Sequence, residues 1–122
     1  MVDEQWRESM NQVVIAWVIL GASVISEVAG TVALRQSAGF TKIVPALLAG
    51  LFYVAAVWLM AIAMRHLEMG VTYAVWAASG TVITALFGMA IYNEQVSLQK
   101  ILGILLVLIG VFVLGIENAQ ES

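Results

Sequence analysis

One acidic side chain stands apart from the rest. Glu27 lies in Ala22-Ser23-Val24-Ile25-Ser26-Glu27-Val28-Ala29-Gly30-Thr31, inside an apolar run over residues 13–34 that holds no other Asp, Glu, Lys or Arg. A run of that length crosses a bilayer as a helix. An ionisable group at such depth is costly and marks a functional site. Such a carboxylate can exchange a proton for a cation. The competing reading is a carboxyl that stays protonated and hydrogen-bonds between helices. Ser23, Glu27, Gly30 and Thr31 stand at i−4, i, i+3 and i+4, so they share one helical face. A face of small residues admits a neighbouring backbone or leaves space for a ligand.

Aromatic residues supply the second part of a cation site. Tyr73 and Trp76 are three apart on one face of a later helix, and Gly80 follows four residues on. Aromatic rings attract organic cations, and a tyrosine hydroxyl can hydrogen-bond a carboxylate. Ordinary packing or an interfacial aromatic belt would give the same spacing. Gly80 in mid-helix suits a kink or close packing. Tyr53 places a hydroxyl at mid-membrane that needs a partner. Trp58, five residues on, reads as packing or lipid-facing. Gly103 and Gly110 are one heptad apart, a groove for a second helix and hence a dimer contact. His66 stands beside Arg65 in a polar break, without the ligand cluster a metal needs. The chain has neither a phosphate-binding glycine loop nor a Ser/His/Asp set, so no enzyme, cofactor or metal centre is expected.

The elements that must position these residues are long and apolar. Hydrophobic residues make up 62% of the chain and charged ones 11%, too little polar sequence to clothe a water-soluble domain. Four runs are bilayer-length: residues 13–34, 43–64, 71–92 and 98–116. Membrane-spanning strands would be shorter and would alternate. The expected fold is therefore an all-α membrane protein of four transmembrane helices over residues 13–116. Polar tails are expected at residues 1–12 and 117–122. The first of these is acidic, unlike the basic start of a signal peptide, and is expected to be a frayed tail, with a surface helix using Trp6 as the alternative. Short loops make consecutive helices antiparallel neighbours. Pro45 falls in the first turn of the second helix, where its missing N–H breaks no bond. A formal charge of −3 disfavours nucleic acid as a partner, and the absence of cysteine removes thiol chemistry.

Charge along the chain barely fixes its orientation. Arg7 and Arg65 lie toward one side, and Arg35, Lys42 and Lys100 toward the other, a count of two against three. The positive-inside bias therefore has little to act on. Larger transporters build a midplane site from inverted repeats. No internal repeat is visible here, and a dimer of oppositely inserted copies would supply one.

Taken together these residues resemble the small multidrug resistance (SMR) transporters over residues 16–114. The resemblance rests on Glu27-Val28-Ala29-Gly30-Thr31, Ser37-Ala38-Gly39-Phe40-Thr41, Pro45, Tyr53, Gly70, Tyr73-Ala74-Val75-Trp76, Gly80 and the Gly103/Gly110 pair. It implies an antiparallel, dual-topology homodimer, multi-pass in the cell inner (plasma) membrane. It implies proton-coupled export of lipophilic or quaternary ammonium cations through a site shared by two copies of Glu27. By the same resemblance Tyr53, Tyr73 and Trp76 bind substrate, Gly80 is the conformational hinge, and Gly103 and Gly110 form the dimer face. Guanidinium exporters of the family carry a tryptophan one turn after the carboxylate and a serine on the second helix. Gly30 and Ala56 stand there instead, which favours the multidrug subtype, with the guanidinium subtype as the alternative. Ala78 replaces a second glycine that often precedes Gly80 in the family, and the acidic N-terminal extension is unlike most members. A heterodimer subunit and a non-transporting membrane interaction protein with a structural Glu27 are the remaining alternatives.

Overall fold

The computed structural model describes residues 2–121, with side chains described for residues 3–116. Met1 and Ser122, the outermost residues of the two expected tails, lie outside that range. Four helices follow in order: α1 (Val2–Gln36), α2 (Ile43–Ala63), α3 (Met69–Ile91) and α4 (Leu98–Glu121). All four are long and apolar enough to cross a membrane.

The N-terminal segment differs from the expected frayed tail. Residues 3–12 continue α1 as an exposed helical extension. Starting a helix is the costly step, and each added residue then gains a hydrogen bond at small cost. The apolar span already supplies the nucleus, so the polar segment extends it. The C-terminal segment behaves alike, with α4 continuing through Glu121.

The first connection is tied by one serine. Ser37 Oγ donates to the Leu34 carbonyl at 2.6 Å and accepts from the Phe40 N–H at 3.1 Å. The Ser37 carbonyl accepts the N–H groups of Thr41 and Lys42. Ala38, Gly39 and Phe40 take positive φ of 50°, 72° and 67°, a left-handed path that glycine at its centre favours. Lys42 is extended, and α2 begins beside it with Pro45 in its first turn, among the N–H groups that have no intrahelical acceptor.

α1 and α2 form the closest pair, and the reason is residue size. Ser23, Gly30, Ala49 and Ala56 are buried where the two helices meet. A Cβ built on Gly30 would stand 3.2 Å from Phe52 Cβ and 3.4 Å from both the Ala49 carbonyl oxygen and Tyr53 Cδ1. Without a hydrophobic drive in lipid, such close packing and interhelical hydrogen bonds hold helices together. Ser23 Oγ donates to the Ala56 carbonyl at 2.6 Å and Ser26 Oγ to the Phe52 carbonyl at 2.8 Å. α3 packs against both α1 and α2, whereas α4 touches α3 alone. A core of Ala16, Leu20, Met60, Ala63 and Leu67 closes one end of the bundle. Val18, Leu51, Val54, Trp58 and Leu106 point outward, each at least 65% exposed, a surface suited to lipid rather than water.

Candidate functional site

The site is built where α1 faces α3. The Glu27 carboxylate is pressed against Gly80, close enough that any Cβ at position 80 would collide with Glu27 Oε2. Gly80 thus acts as a seat for the acid. Glu27 Oε2 is buried without a hydrogen-bond partner among the described residues. A buried oxygen in that state is costly unless a proton or a cation accompanies it.

The face around Glu27 divides its work. Ser23 and Gly30 serve the approach of α2, and Glu27 serves α3. Thr31, one turn beyond Glu27, donates to the Glu27 backbone carbonyl at 3.0 Å. The same hydroxyl lies 2.7 Å from the Tyr53 hydroxyl. Tyr53 therefore finds its partner in Thr31, within one turn of the acid, and not in the carboxylate itself.

Trp76 stands one turn before Gly80 on α3. Its Nε1–H is the second buried polar group without a partner among the described residues. The Tyr73 and Trp76 rings lie 5.7 Å apart between centroids, tilted by 38°, an ordinary aromatic pair geometry. Tyr73 is 55% exposed, so its side of this pair is open. The structure brings Glu27 and Gly80 into contact, places Trp76 one turn before Gly80 on α3 against the core of Ala16, Leu20 and Met60, and joins Tyr53 to Thr31 one turn from the acid.

Gly103 and Gly110 belong to a different place. Both lie on α4 with nothing within 4 Å of a built Cβ. No residue of the 98–116 span is buried. α4 thus packs on α3 and takes no part in the Glu27–Gly80 contact. Trp58 is 69% exposed on α2, as the lipid-facing reading expects.

Sequence reasoning missed one cluster. Arg35 Nη1 lies 3.6 Å from Glu94 Oε2, and the Arg35 guanidinium carbon sits 4.2 Å from the Tyr92 ring centroid. The available signal was topological. Arg35 ends α1 and Glu94 follows α3, and with two antiparallel helices between them these points lie at the same end with opposite charge.

The Small Multidrug Resistance protein family profile matches residues 15–107, which covers the Glu27–Gly80 contact, the Arg35 cluster and Gly103. The chain belongs to the small multidrug resistance family. It is 36% identical over 107 residues to "Uncharacterized membrane protein YvaE" of Bacillus subtilis (strain 168), covering 87% of this chain and 90% of the relative. It is 37% identical over 105 residues to "Guanidinium exporter" of Yersinia pseudotuberculosis, covering 86% of this chain and 99% of the relative. It is 34% identical over 93 residues to "Quaternary ammonium compound-resistance protein QacH" of Staphylococcus saprophyticus, covering 76% of this chain and 87% of the relative. Family membership and four apolar helices make this SMR protein a multi-pass transporter of the inner (plasma) membrane.

Proposed function

We propose that the chain is a proton-coupled exporter of lipophilic or quaternary ammonium cations, working as an antiparallel homodimer around two copies of Glu27. The observation that carries this reading is the buried, unpartnered Glu27 oxygen seated against Gly80, one turn along α3 from Trp76. A proton or a cation can satisfy that oxygen, and one excludes the other. Exclusive occupancy of one group by two ligands is what exchange requires. Trp76 and the half-exposed Tyr73 offer aromatic faces for the cation.

The hinge and the dimer face follow from packing. Gly80 alone lets α3 hold its backbone against the acid, so a change in the path of α3 there would alter access to Glu27. The open groove at Gly103 and Gly110 admits a helix of a second copy. In the exchange cycle, protons load both copies of Glu27 from outside and access reverses. A cation from inside then displaces the protons and is carried out.

The choice of large over small cations rests on Gly30 and Ala56 in the sequence and on the likeness to a quaternary ammonium compound-resistance protein of Staphylococcus saprophyticus. Gly30 is already against Phe52 and Tyr53, leaving no room there for a tryptophan without parting the helices. The likeness to a guanidinium exporter of Yersinia pseudotuberculosis keeps guanidinium transport as the second reading.

The test is tetraphenylphosphonium binding to the purified dimer in bicelles, from about pH 5 to about pH 9, for wild type and Glu27→Gln. The expected result is affinity that strengthens as pH rises in the wild type and disappears in the variant. Absence of binding at every pH would overturn the large-cation reading in favour of guanidinium. Binding unaffected by the substitution would place the cation site elsewhere and make Glu27 structural.

A further inference from the structure

A cavity lies one turn beyond the Glu27–Gly80 contact. It has a volume of about 200 Å³ and runs between the C-terminal halves of α1 and α3, from Thr31 to Glu94. Its inner wall is Thr31, one turn from Glu27, and its outer wall is Arg35, Tyr92 and Glu94. Phe87 adds an apolar side.

The outer wall is held in place by the turn after α3. The Tyr92 and Glu94 N–H groups both donate to the Gly88 carbonyl, at 3.0 and 3.1 Å. Asn93 makes the reversal with φ of 54°, a left-handed conformation that Asn tolerates. This folds the Glu94 carboxylate back onto Gly88, into the space that any side chain at position 88 would fill. The carboxylate is thereby held against Gly88, two residues beyond Tyr92.

What stands between that carboxylate and the Tyr92 ring is a guanidinium. Arg35 lies over the Tyr92 ring and beside the Glu94 oxygen, the two contacts that recognise an organic cation. Gln36 Nε2 reaches the Tyr92 hydroxyl at 3.4 Å and steadies the ring from outside. The arginine and glutamate side chains are 54% and 42% exposed, so the pair is weak enough to be exchanged.

We propose that Tyr92 and Glu94 form a peripheral site for small guanidinium-headed cations, with the Arg35 guanidinium as its resident competitor. An arriving cation takes the ring and the carboxylate, Arg35 swings outward, and the cavity leads on toward Thr31 and Glu27. The ring and carboxylate are spaced to take a guanidinium head, as Arg35 itself shows. The ligand class rests on the reading of the chain as a cation exporter, whereas the site itself rests on residues that reading does not use.

Calorimetric titration of full-length protein in bicelles with phenylguanidinium tests this in a Glu27→Gln background, where the central site is removed. Glu27→Gln/Arg35→Gln is expected to bind one phenylguanidinium per chain about fivefold more tightly than Glu27→Gln alone, as loss of an exposed competitor allows. Adding Glu94→Gln is expected to abolish that binding, and adding Tyr92→Leu to weaken it. Circular dichroism checks that each variant keeps its helices, and Tyr92→Leu decides if Glu94→Gln does not fold. No binding by the Arg35→Gln variant, or binding indifferent to the Glu94 and Tyr92 changes, would overturn the proposal and make the Arg35–Glu94 pair a fixed tie. The change in tetraphenylphosphonium binding on Glu27→Gln reports on Glu27, and the phenylguanidinium titrations, all made in that background, report on Tyr92 and Glu94, so either reading can fail without the other.

Discussion

Glu27 and Gly80 constrain each other at the level of single atoms. A methyl group at position 80 would occupy the place of the Glu27 carboxylate, so Gly80→Ala must displace the acid. The expected outcome is retained helical content with transport slowed about 100-fold, the scale on which small misplacements of a reacting group act. Solid-supported membrane currents in proteoliposomes would measure it, and unchanged currents would remove Gly80 from the mechanism. Gly30 is a packing residue by the same geometric test. Gly30→Trp is expected to destabilise the α1–α2 contact by about 1–3 kcal/mol through overpacking. Denaturant titration of the helical signal reads that cost. Tyr53 differs from both, because its hydroxyl is bonded to Thr31. Tyr53→Phe should cost about 1 kcal/mol of stability.

Among the elements, α1 and α2 form a stapled pair and α4 is the loose partner. Two serine hydroxyls of α1 reach backbone carbonyls of α2. Ser23→Ala and Ser26→Ala are each expected to lower stability by about 0.6 to 1.7 kcal/mol, the range for hydrogen bonds between membrane helices. In contrast, Gly103→Leu with Gly110→Leu should leave the protomer's helices intact, since nothing in the protomer lies against those positions. The expected loss is of the dimer, read by cross-linking or by energy transfer between labelled copies in bicelles. A dimer that survives both substitutions would place the contact on another face.

For the molecule as a whole, orientation is set by very few charges. Two Lys/Arg residues lie toward one side and three toward the other, so a handful of substitutions should fix one topology. Arg7→Ala with Arg65→Ala biases the chain one way, and Asp3→Lys, Glu4→Lys and Glu68→Lys bias it the other. Each biased chain alone is expected to lose protection against quaternary ammonium compounds in growing cells, and the two together to regain it. Full protection by either chain alone would sink the antiparallel dimer.

The sequence by itself determined the four spans, their antiparallel order and the lone acid. Hydropathy over a bilayer length is a local property, and a charge inside such a run is visible without neighbours. It also placed Tyr73, Trp76 and Gly80 on one face, because helical periodicity is local too. Only the tertiary structure decided which groups meet. Gly80 became the seat of Glu27 because α3 packs on α1 there, a contact no spacing along the chain encodes. Tyr53 was drawn to Thr31 because the small residues of α1 and α2 let those helices close up. Residues 3–12 became helix because a nucleus already existed beside them, although their own composition predicted fraying. The Arg35–Tyr92–Glu94 cluster joins residues more than fifty positions apart in sequence, and a fold-back at Asn93 completes it. Such pairings depend on where helices end and how turns reverse, which side-chain periodicity does not specify.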